Sequence, residues 1–242
     1  MAKHRSMAGV VSILLAFLML LFVIPVQAQQ AQEYVGRFDA FTGFSYMDSP
    51  AANLYQRGFN GEFGYNVRRW LALGVDYSVL NGSTSIVPKY LTPQLQTALG
   101  ADLQQLALAG MLPPGYNLYV PYDGKTWTFA AGPQVNFRQL KHITIFVRPD
   151  LGVIHETASL KPNDPIQKLV VAALAPNGSK ADHVVFYGVG GGFDLNASKH
   201  VGLRVTADYV HCFLFEGLLA NSRNTVRLSV GPTFRFGKNV EK

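Results

Sequence analysis

The sequence predicts an all-β protein, an eight-stranded antiparallel up-and-down transmembrane β-barrel with short helices in its long outer loops. Three observations predict this fold. The chain begins with an export signal, eight later segments alternate apolar and polar residues, and their connections alternate between short turns and long loops. Alternation with period two is typical of strands. A strand in a membrane barrel turns its apolar face to lipid and its polar face to the lumen.

The first 28 residues are predicted to be a signal peptide. Lys3 and Arg5 form a basic start, an apolar stretch runs over about 8–26, and a small-residue cleavage site ends at Ala28. The alternative is an uncleaved anchor, because the apolar run approaches the ~20 residues that span a bilayer. Pro25 and the small residue at the cleavage site favour cleavage.

The composition excludes several classes of site. Removing the signal removes two basic and no acidic residues, so the net charge falls from +6 to +4 (6 − 2), a mild excess that does not indicate nucleic-acid binding. Cys212 is the only cysteine, which rules out an intramolecular disulfide and a metal site built on several thiolates. The sequence predicts no cofactor.

Each predicted strand has one apolar and one polar face. In the last segment, Val226, Leu228 and Val230 alternate with Arg227 and Ser229. All eight segments have one apolar face and one polar face in this way. They are 35–46, 58–67, 71–79, 126–137, 143–154, 184–195, 201–210 and 224–236. Their lengths suit the ~9 to 11 residues of a tilted membrane strand. No segment after the signal predicts a membrane-spanning helix. If the mature chain is in a membrane, it must therefore be a closed barrel, because only helices and closed barrels satisfy all backbone hydrogen bonds in lipid.

The connections divide the barrel into two ends. Short turns are predicted at 66–70, 138–142 and 196–200, and long loops at about 47–57, 80–125, 155–183 and 211–223. Turns face the periplasm and loops face outside in such barrels, so both termini are expected in the periplasm. Two loops contain apolar residues at helical spacing, over about 91–110 and 164–175, and whether these helices form a lid is left open.

The predicted domains are therefore a signal peptide at 1–28, a periplasmic segment at 29–33, the barrel at 34–236 and a periplasmic tail at 237–242. Aromatic residues near the strand ends suit the two membrane interfaces. Basic residues in the short turns suit either anionic lipid headgroups or water, and they are Arg68, Arg69, Arg138, Lys141 and Lys199.

The polar faces place charges of both signs in the lumen. Isolated charges there would be costly, so a near-neutral mixture predicts an ion-paired plug, and a lumen of eight strands is just wide enough for side chains to fill it. The alternative is that one of these groups serves catalysis or ion passage. The predicted network consists of Arg37, Asp39, Glu62, Asp76, Arg148, Asp150, Asp194, Arg204, Asp208, Arg227 and Arg235.

Over roughly 34–236, the alternating segments, short turns and C-terminal aromatic residue resemble the small outer-membrane barrel family that includes the OmpA transmembrane domain and the opacity-type adhesins. The resemblance implies location in the bacterial outer membrane among lipids and lipopolysaccharide, as a monomer. It also implies that Phe236, with Phe234 two residues before it, is read by the barrel-assembly machinery. The chain departs from the family pattern by six residues after Phe236, and we expect no peptidoglycan-binding domain.

The expected function is a non-enzymatic role in membrane structure or surface contact, with the extracellular ligand unknown. One alternative is a lipid-modifying enzyme, which needs a histidine near a serine and a carboxylate. The candidate sets are His155 with Glu156 and Ser159, and His211 with Glu216 and Ser222. A narrow ion channel would need a wet path past the plug. A soluble periplasmic barrel that binds an apolar ligand is a further possibility.

Overall fold

The computed structural model describes residues 32–221 and 223–241, which form one closed β-barrel. Each strand pairs antiparallel with its sequence neighbours, and the first strand pairs with the last. The predicted eight strands and their up-and-down order are confirmed. The predicted signal peptide lies outside the described residues. The strands are β1 (Gly36–Ser49), β2 (Leu54–Asn66), β3 (Leu71–Ile86), β4 (Val120–Phe137), β5 (Ile143–Leu160), β6 (Ser179–Asn196), β7 (Val201–Cys212) and β8 (Arg223–Asn239).

The outer and inner faces of the barrel have opposite polarity. Large apolar side chains such as Phe59, Leu73 and Val185 are exposed on the outside, while Asn60 and Ser78 are buried inside. This is the reverse of a soluble sheet and is the arrangement of a barrel that spans a membrane. Among the described residues, no α-helix has the length and apolarity needed to cross a bilayer.

The strands continue past the predicted boundaries at the end of the barrel that carries the long loops. The predicted loops 80–125 and 155–183 are therefore too long, since β4, β5 and β6 have 18 residues each. At about 3.3 Å per residue and a 45° tilt, 18 residues rise about 42 Å, more than the ~25 Å apolar band of such barrels.

The outward face changes chemistry where the lipid would end. Val79 pairs with Trp127, and beyond them the outward positions are polar, with Asn81 paired to Lys125 and Ser83 to Asp123. The outward residues are no longer apolar there, so the sequence no longer predicts a strand. The backbone hydrogen bonds between β3 and β4 nevertheless continue. The outer ends of these strands thus project beyond the apolar band.

At the opposite end, which carries the short turns, β8 runs three residues past Phe236, to Asn239. The Val35 backbone N–H donates to Oδ1 of Asn239 at 2.8 Å, and Val240 N–H donates to the Val35 carbonyl at 2.9 Å. The pairing of β1 with β8 is irregular between Gly36 and Phe38. Part of the predicted tail thus extends the last strand.

The long loops contain two helices, α1 (Pro93–Leu108) and α2 (Pro165–Leu174). Proline occupies the first turn of both, where its missing N–H costs no hydrogen bond. Asp164 caps α2 by accepting from the Gln167 backbone N–H at 2.8 Å. Leu99 of α1 and Val171 of α2 belong to one buried apolar cluster.

Two further contacts hold the loops together. The Tyr116 hydroxyl donates to the Asp164 carboxylate at 3.0 Å, and burial with this carboxylate raises the Tyr116 pKa to about 12. The Thr92 backbone N–H donates to the Leu218 carbonyl at 2.9 Å, which ties the β3–β4 loop to the β7–β8 loop. The outer loops thus form a packed layer.

Candidate functional site in the barrel lumen

The turn-end half of the lumen is filled by a cluster of buried charged side chains. Five guanidinium groups and six carboxylates are joined by ion pairs, and every member is at most 8% exposed. We call this cluster the lumen network. Its members are Asp39, Glu62, Asp76, Arg138, Arg148, Asp150, Asp194, Arg204, Asp208, Arg227 and Arg235.

Arg148, on β5, has the largest number of acidic partners. Its guanidinium nitrogens lie 3.1 Å from Glu62, 3.4 Å from Asp76, 3.2 Å from Asp150 and 3.0 Å from Asp208. These carboxylates belong to β2, β3, β5 and β7. One side chain therefore joins strands from opposite sides of the barrel.

Arg227 bridges two of the same carboxylates from β8. It lies 2.8 Å from both Asp76 and Asp208, and its Nη1 also donates to the Thr128 hydroxyl at 3.3 Å. Since β3 and β7 are not neighbours, this bridge crosses the lumen. The planar guanidinium of Arg227 has several N–H donors in a fixed fork, so arginine is better suited than lysine to hold two carboxylates at once.

Arg204, on β7, holds its neighbour on β6 through two parallel bonds. Its Nε donates to Asp194 Oδ1 at 2.7 Å and its Nη2 to Asp194 Oδ2 at 3.1 Å. Its Nη1 reaches Glu62 at 2.8 Å, and the guanidinium lies over the Phe146 ring at 4.7 Å. This bidentate geometry is among the stronger hydrogen-bonded ion pairs in proteins.

The strands leave room for these long side chains by placing glycine beside them. Gly190 on β6 is the register partner of both Arg148 and Asp208. A Cβ at this position would overlap Asp208 Oδ1 and lie 2.6 Å from Asp150 Oδ2. An inward side chain here is therefore incompatible with the network as it stands.

Ten of the eleven residues predicted for the lumen are brought together by the structure. Arg37 has other contacts: it is partly buried, donates to the Asn66 carbonyl at 3.3 Å and lies over the Tyr65 ring. The irregular pairing at the start of β1 coincides with its position, so the simple alternation that predicted an inward arginine is interrupted there.

Arg138 was predicted to lie in a lipid-facing or solvated turn, but it is a buried member of the network. Its Nη2 donates to Asn66 Oδ1 at 3.0 Å and lies 3.7 Å from Asp39, and its Nε donates to the Arg69 carbonyl. The sequence pattern does indicate this position, because Arg138 continues the alternation that turns Gln134 and Asn136 into the lumen.

A second buried ion pair lies nearer the loops. Arg223 Nη1 donates to Glu156 Oε2 at 2.9 Å, and both residues are 1% exposed. Thr126 donates to the same Glu156 oxygen at 3.0 Å. Glu156 and Arg223 continue the inward phases of β5 and β8 past the predicted ends of their alternation, which is why the pair was missed.

The candidate catalytic sets are not assembled by the structure. Glu156 points into the lumen toward Arg223, whereas the neighbouring His155 stacks on Trp127 and bonds to the Thr157 hydroxyl at 3.2 Å. His211 bonds to Asn224 at 2.7 Å. Glu216 is exposed in the loop, Ser159 is exposed on β5, and Ser222 lies outside the described residues. Within the described ranges, no group of three histidine, cysteine, aspartate or glutamate side chains could hold a metal ion.

The structure is similar to solved outer-membrane barrels. Neisserial surface protein A (NspA) aligns with a TM-score of 0.51 and 13% identity, covering 82% of this chain and 96% of that chain. OprG from Pseudomonas aeruginosa aligns with a TM-score of 0.51 and 10% identity, covering 87% and 100%. The chain has the small outer-membrane barrel fold. No family model and no curated protein sequence matches it significantly.

The lumen of the barrel is layered along β5. From the network toward the loops, β5 carries Asp150, then Ile154, then Glu156. Ile154 packs with Ala130 and Phe186 in an apolar layer. On this side of the lumen an apolar layer thus lies between the charged groups at the two levels, whereas Thr128 and Thr225 are buried in the lumen on β4 and β8. Apolar constrictions oppose the passage of water and ions.

Proposed function

We propose that the chain is a non-enzymatic outer-membrane barrel with a closed lumen, whose role is structural and whose packed outer loops make surface contacts. The observation that carries this proposal is the lumen network, which draws on strands all round the barrel and fills the turn-end half of the lumen with fixed charges of both signs. Eight strands enclose a space that side chains can fill. Ion passage would require breaking several buried pairs and wetting the apolar side chains of Ile154, Ala130 and Phe186 above them.

Planar-bilayer recording tests the closed lumen. Purified wild-type protein is expected to show no stable unit conductance above that of protein-free bilayers. Stable conductance that changes in Arg148→Met or Asp76→Asn would contradict the proposal and favour the narrow channel. Arg57→Met is the matched control, because Arg57 is exposed on β2, outside the network.

A lipid substrate assay tests the absence of catalysis. The histidine contacts support this part of the proposal, since neither His155 nor His211 has a carboxylate partner among the described residues. We expect neither deacylation nor palmitoylation of lipid A by the folded protein. Activity that disappears in His155→Ala or His211→Ala would overturn the non-enzymatic assignment.

The proposed location is the bacterial outer membrane, with the termini in the periplasm and lipopolysaccharide around the outer rim. The apolar outer band supports this location, and the short turns and long loops support the orientation. In intact cells, protease should cleave the outer loops but leave a C-terminal tag intact. N-terminal sequencing of the exported protein should begin at residue 29 if the signal peptide is cleaved as predicted.

Assembly and oligomeric state are tested separately. Phe234 and Phe236 are exposed on the outward face of β8, and the Phe236 ring stacks on Phe38 across the β1–β8 seam. We expect Phe236→Ala to slow folding by the barrel-assembly machinery, seen as a delayed heat-modifiable gel band. Light scattering in detergent should give the mass of one chain.

Surface contact is supported by apolar side chains that the loops expose. Leu108 and Met111, at the end of α1, are 83% and 62% exposed. These positions lie beyond the membrane-facing strands, so lipid contact does not account for them. Replacing both with serine should leave barrel folding intact and reduce adhesion of cells that display the protein.

A further inference from the structure

An apolar cavity lies under the loop helices, above the lumen network. It has a volume of about 80 Å³, taken as the space open to the centre of a water molecule. Its wall is almost entirely apolar and includes Leu91, Leu99, Leu118, Val171 and Leu219, from both helices and three loops. A single water needs only about 10–15 Å³ of such space, so the cavity has room for part of a slender organic molecule.

Three charged residues border this apolar space: Glu156, Lys180 and Arg223. Glu156 and Arg223 form the buried pair described above, which is neutral as a unit. Lys180 is exposed and shares the inward phase of β6, opposite Ala158. The charged border of the cavity therefore carries one net positive charge, which favours an anionic ligand.

Arg223 has an unused pair of donors. Only its Nη1 is bonded to Glu156, while its Nε and Nη2 are buried and have no hydrogen-bond partner among the described residues. Leaving buried donors unpaired is unfavourable. The unpaired Nε atoms of Arg148 and Arg235 differ, because each still lies within 3.6 Å of a carboxylate oxygen.

The network shows what such a pair of donors binds. In Arg204 the same two atoms, Nε and Nη2, hold both oxygens of Asp194 at 2.7 and 3.1 Å. The Nε and Nη2 edge of a guanidinium matches the spacing of a carboxylate. Arg223, which borders the apolar cavity, thus has an unpaired donor edge of the shape that binds a carboxylate.

We propose that this cavity binds a linear fatty acid, with the carboxylate on the Nε and Nη2 edge of Arg223 and the aliphatic chain between the barrel wall and the loop helices. The site goes beyond the proposed function, because binding above the network requires no passage through the lumen. Lys180 at the border attracts the anion. The packed α1 and α2 cover the chain and shield it from water.

Isothermal titration with octanoate tests the proposal, using the mature full chain in lipid nanodiscs and empty nanodiscs as the partition control. We expect one saturable site per barrel. Octanol, which has the same chain without the carboxylate, should bind at least about tenfold more weakly, since a charge-assisted bidentate contact is lost. Octyltrimethylammonium should give no more heat than with empty discs.

Two variants separate the carboxylate site from the apolar site. Arg223→Lys keeps a cation for Glu156 but removes the forked edge, and Val171→Phe fills the cavity without touching Arg223. Each should weaken octanoate binding at least about tenfold while the heat-modifiable band shows a folded barrel. If Arg223→Lys does not fold, Val171→Phe and the ligand series decide the matter.

Three results would overturn the proposal: octanoate heats equal to those of empty discs, equal binding of octanol and octanoate, or binding unaffected by Val171→Phe. The conductance of the wild-type barrel is measured independently. Failure of the closed lumen would therefore not be mistaken for failure of the binding site.

Discussion

Replacing Arg148 with methionine, an unbranched side chain that is shorter and uncharged, should destabilise the barrel strongly. Three of its four acidic partners keep another arginine, because Glu62 still pairs with Arg204 and both Asp76 and Asp208 still pair with Arg227. Asp150 keeps no cation partner among the described residues. Removing one partner of a buried pair typically costs about 3–5 kcal/mol, and we expect a loss in unfolding free energy within that range.

The orphaned carboxylate predicts a partial rescue. Adding Asp150→Asn to Arg148→Met removes the unpaired charge, so the double variant should be more stable than Arg148→Met alone, with a coupling energy of about 1–3 kcal/mol. Urea unfolding in lipid vesicles, followed by tryptophan fluorescence and by heat-modifiable mobility, measures both quantities.

Arg57→Met serves as the control, with an expected change within about 0.5 kcal/mol for an exposed position. Two results would refute the reasoning. One is an Arg148→Met midpoint equal to that of Arg57→Met. The other is strict additivity of the two network substitutions, which would mean that Arg148 and Asp150 do not interact energetically.

Three further predictions concern other parts of the structure. Gly190→Ala should cost about 1–3 kcal/mol in urea unfolding, since the new Cβ overlaps buried carboxylate oxygens; an unchanged midpoint would contradict this. Arg138→Met should destabilise the barrel more than Arg37→Met in the same assay, because only Arg138 pairs with a buried carboxylate; the reverse order would refute the assignment. The pKa of Tyr116 is raised to about 12 from about 10, so its contact with Asp164 stabilises the loops below about pH 10 and is lost as the pH rises through about 12. Spin labels on α1 and α2 should separate between about pH 10 and about pH 12.5 in wild type, but show no such pH-dependent change in Tyr116→Phe.

Once the export signal and the connection lengths indicate a membrane barrel, alternation predicts most of its interior. Once an inward residue such as Asp76 or Arg204 is assigned, period two places every second neighbour on the same face. The predicted strand ends are wrong where the outward face of the strands is no longer apolar. Beyond Val79 and Trp127 the outward residues are polar as well, so the alternation that predicts a strand is lost there although the strands continue.

The same limit explains the missed charges. Arg138, Glu156 and Arg223 all lie in the inward phase but one or more residues outside the predicted strands, so the pattern predicts turns or loops at these positions. Arg37 shows the opposite failure, since an irregular pairing interrupts the phase within a predicted strand. Which carboxylate each arginine binds depends on barrel closure, which for example brings Arg227 to Asp76 across 151 positions of sequence.

The seam between β1 and β8 joins the two strands that are farthest apart in the chain. Asp39 and Arg235 are register partners there, with Arg235 Nε 3.6 Å from Asp39 Oδ1. A slip of two residues would keep every side chain on its correct face but would place Arg235 opposite Arg37 or Phe41. The charge pair therefore disfavours such a slip, and it adds to the Ser45–Ser229 hydrogen bond of 2.7 Å across the same seam.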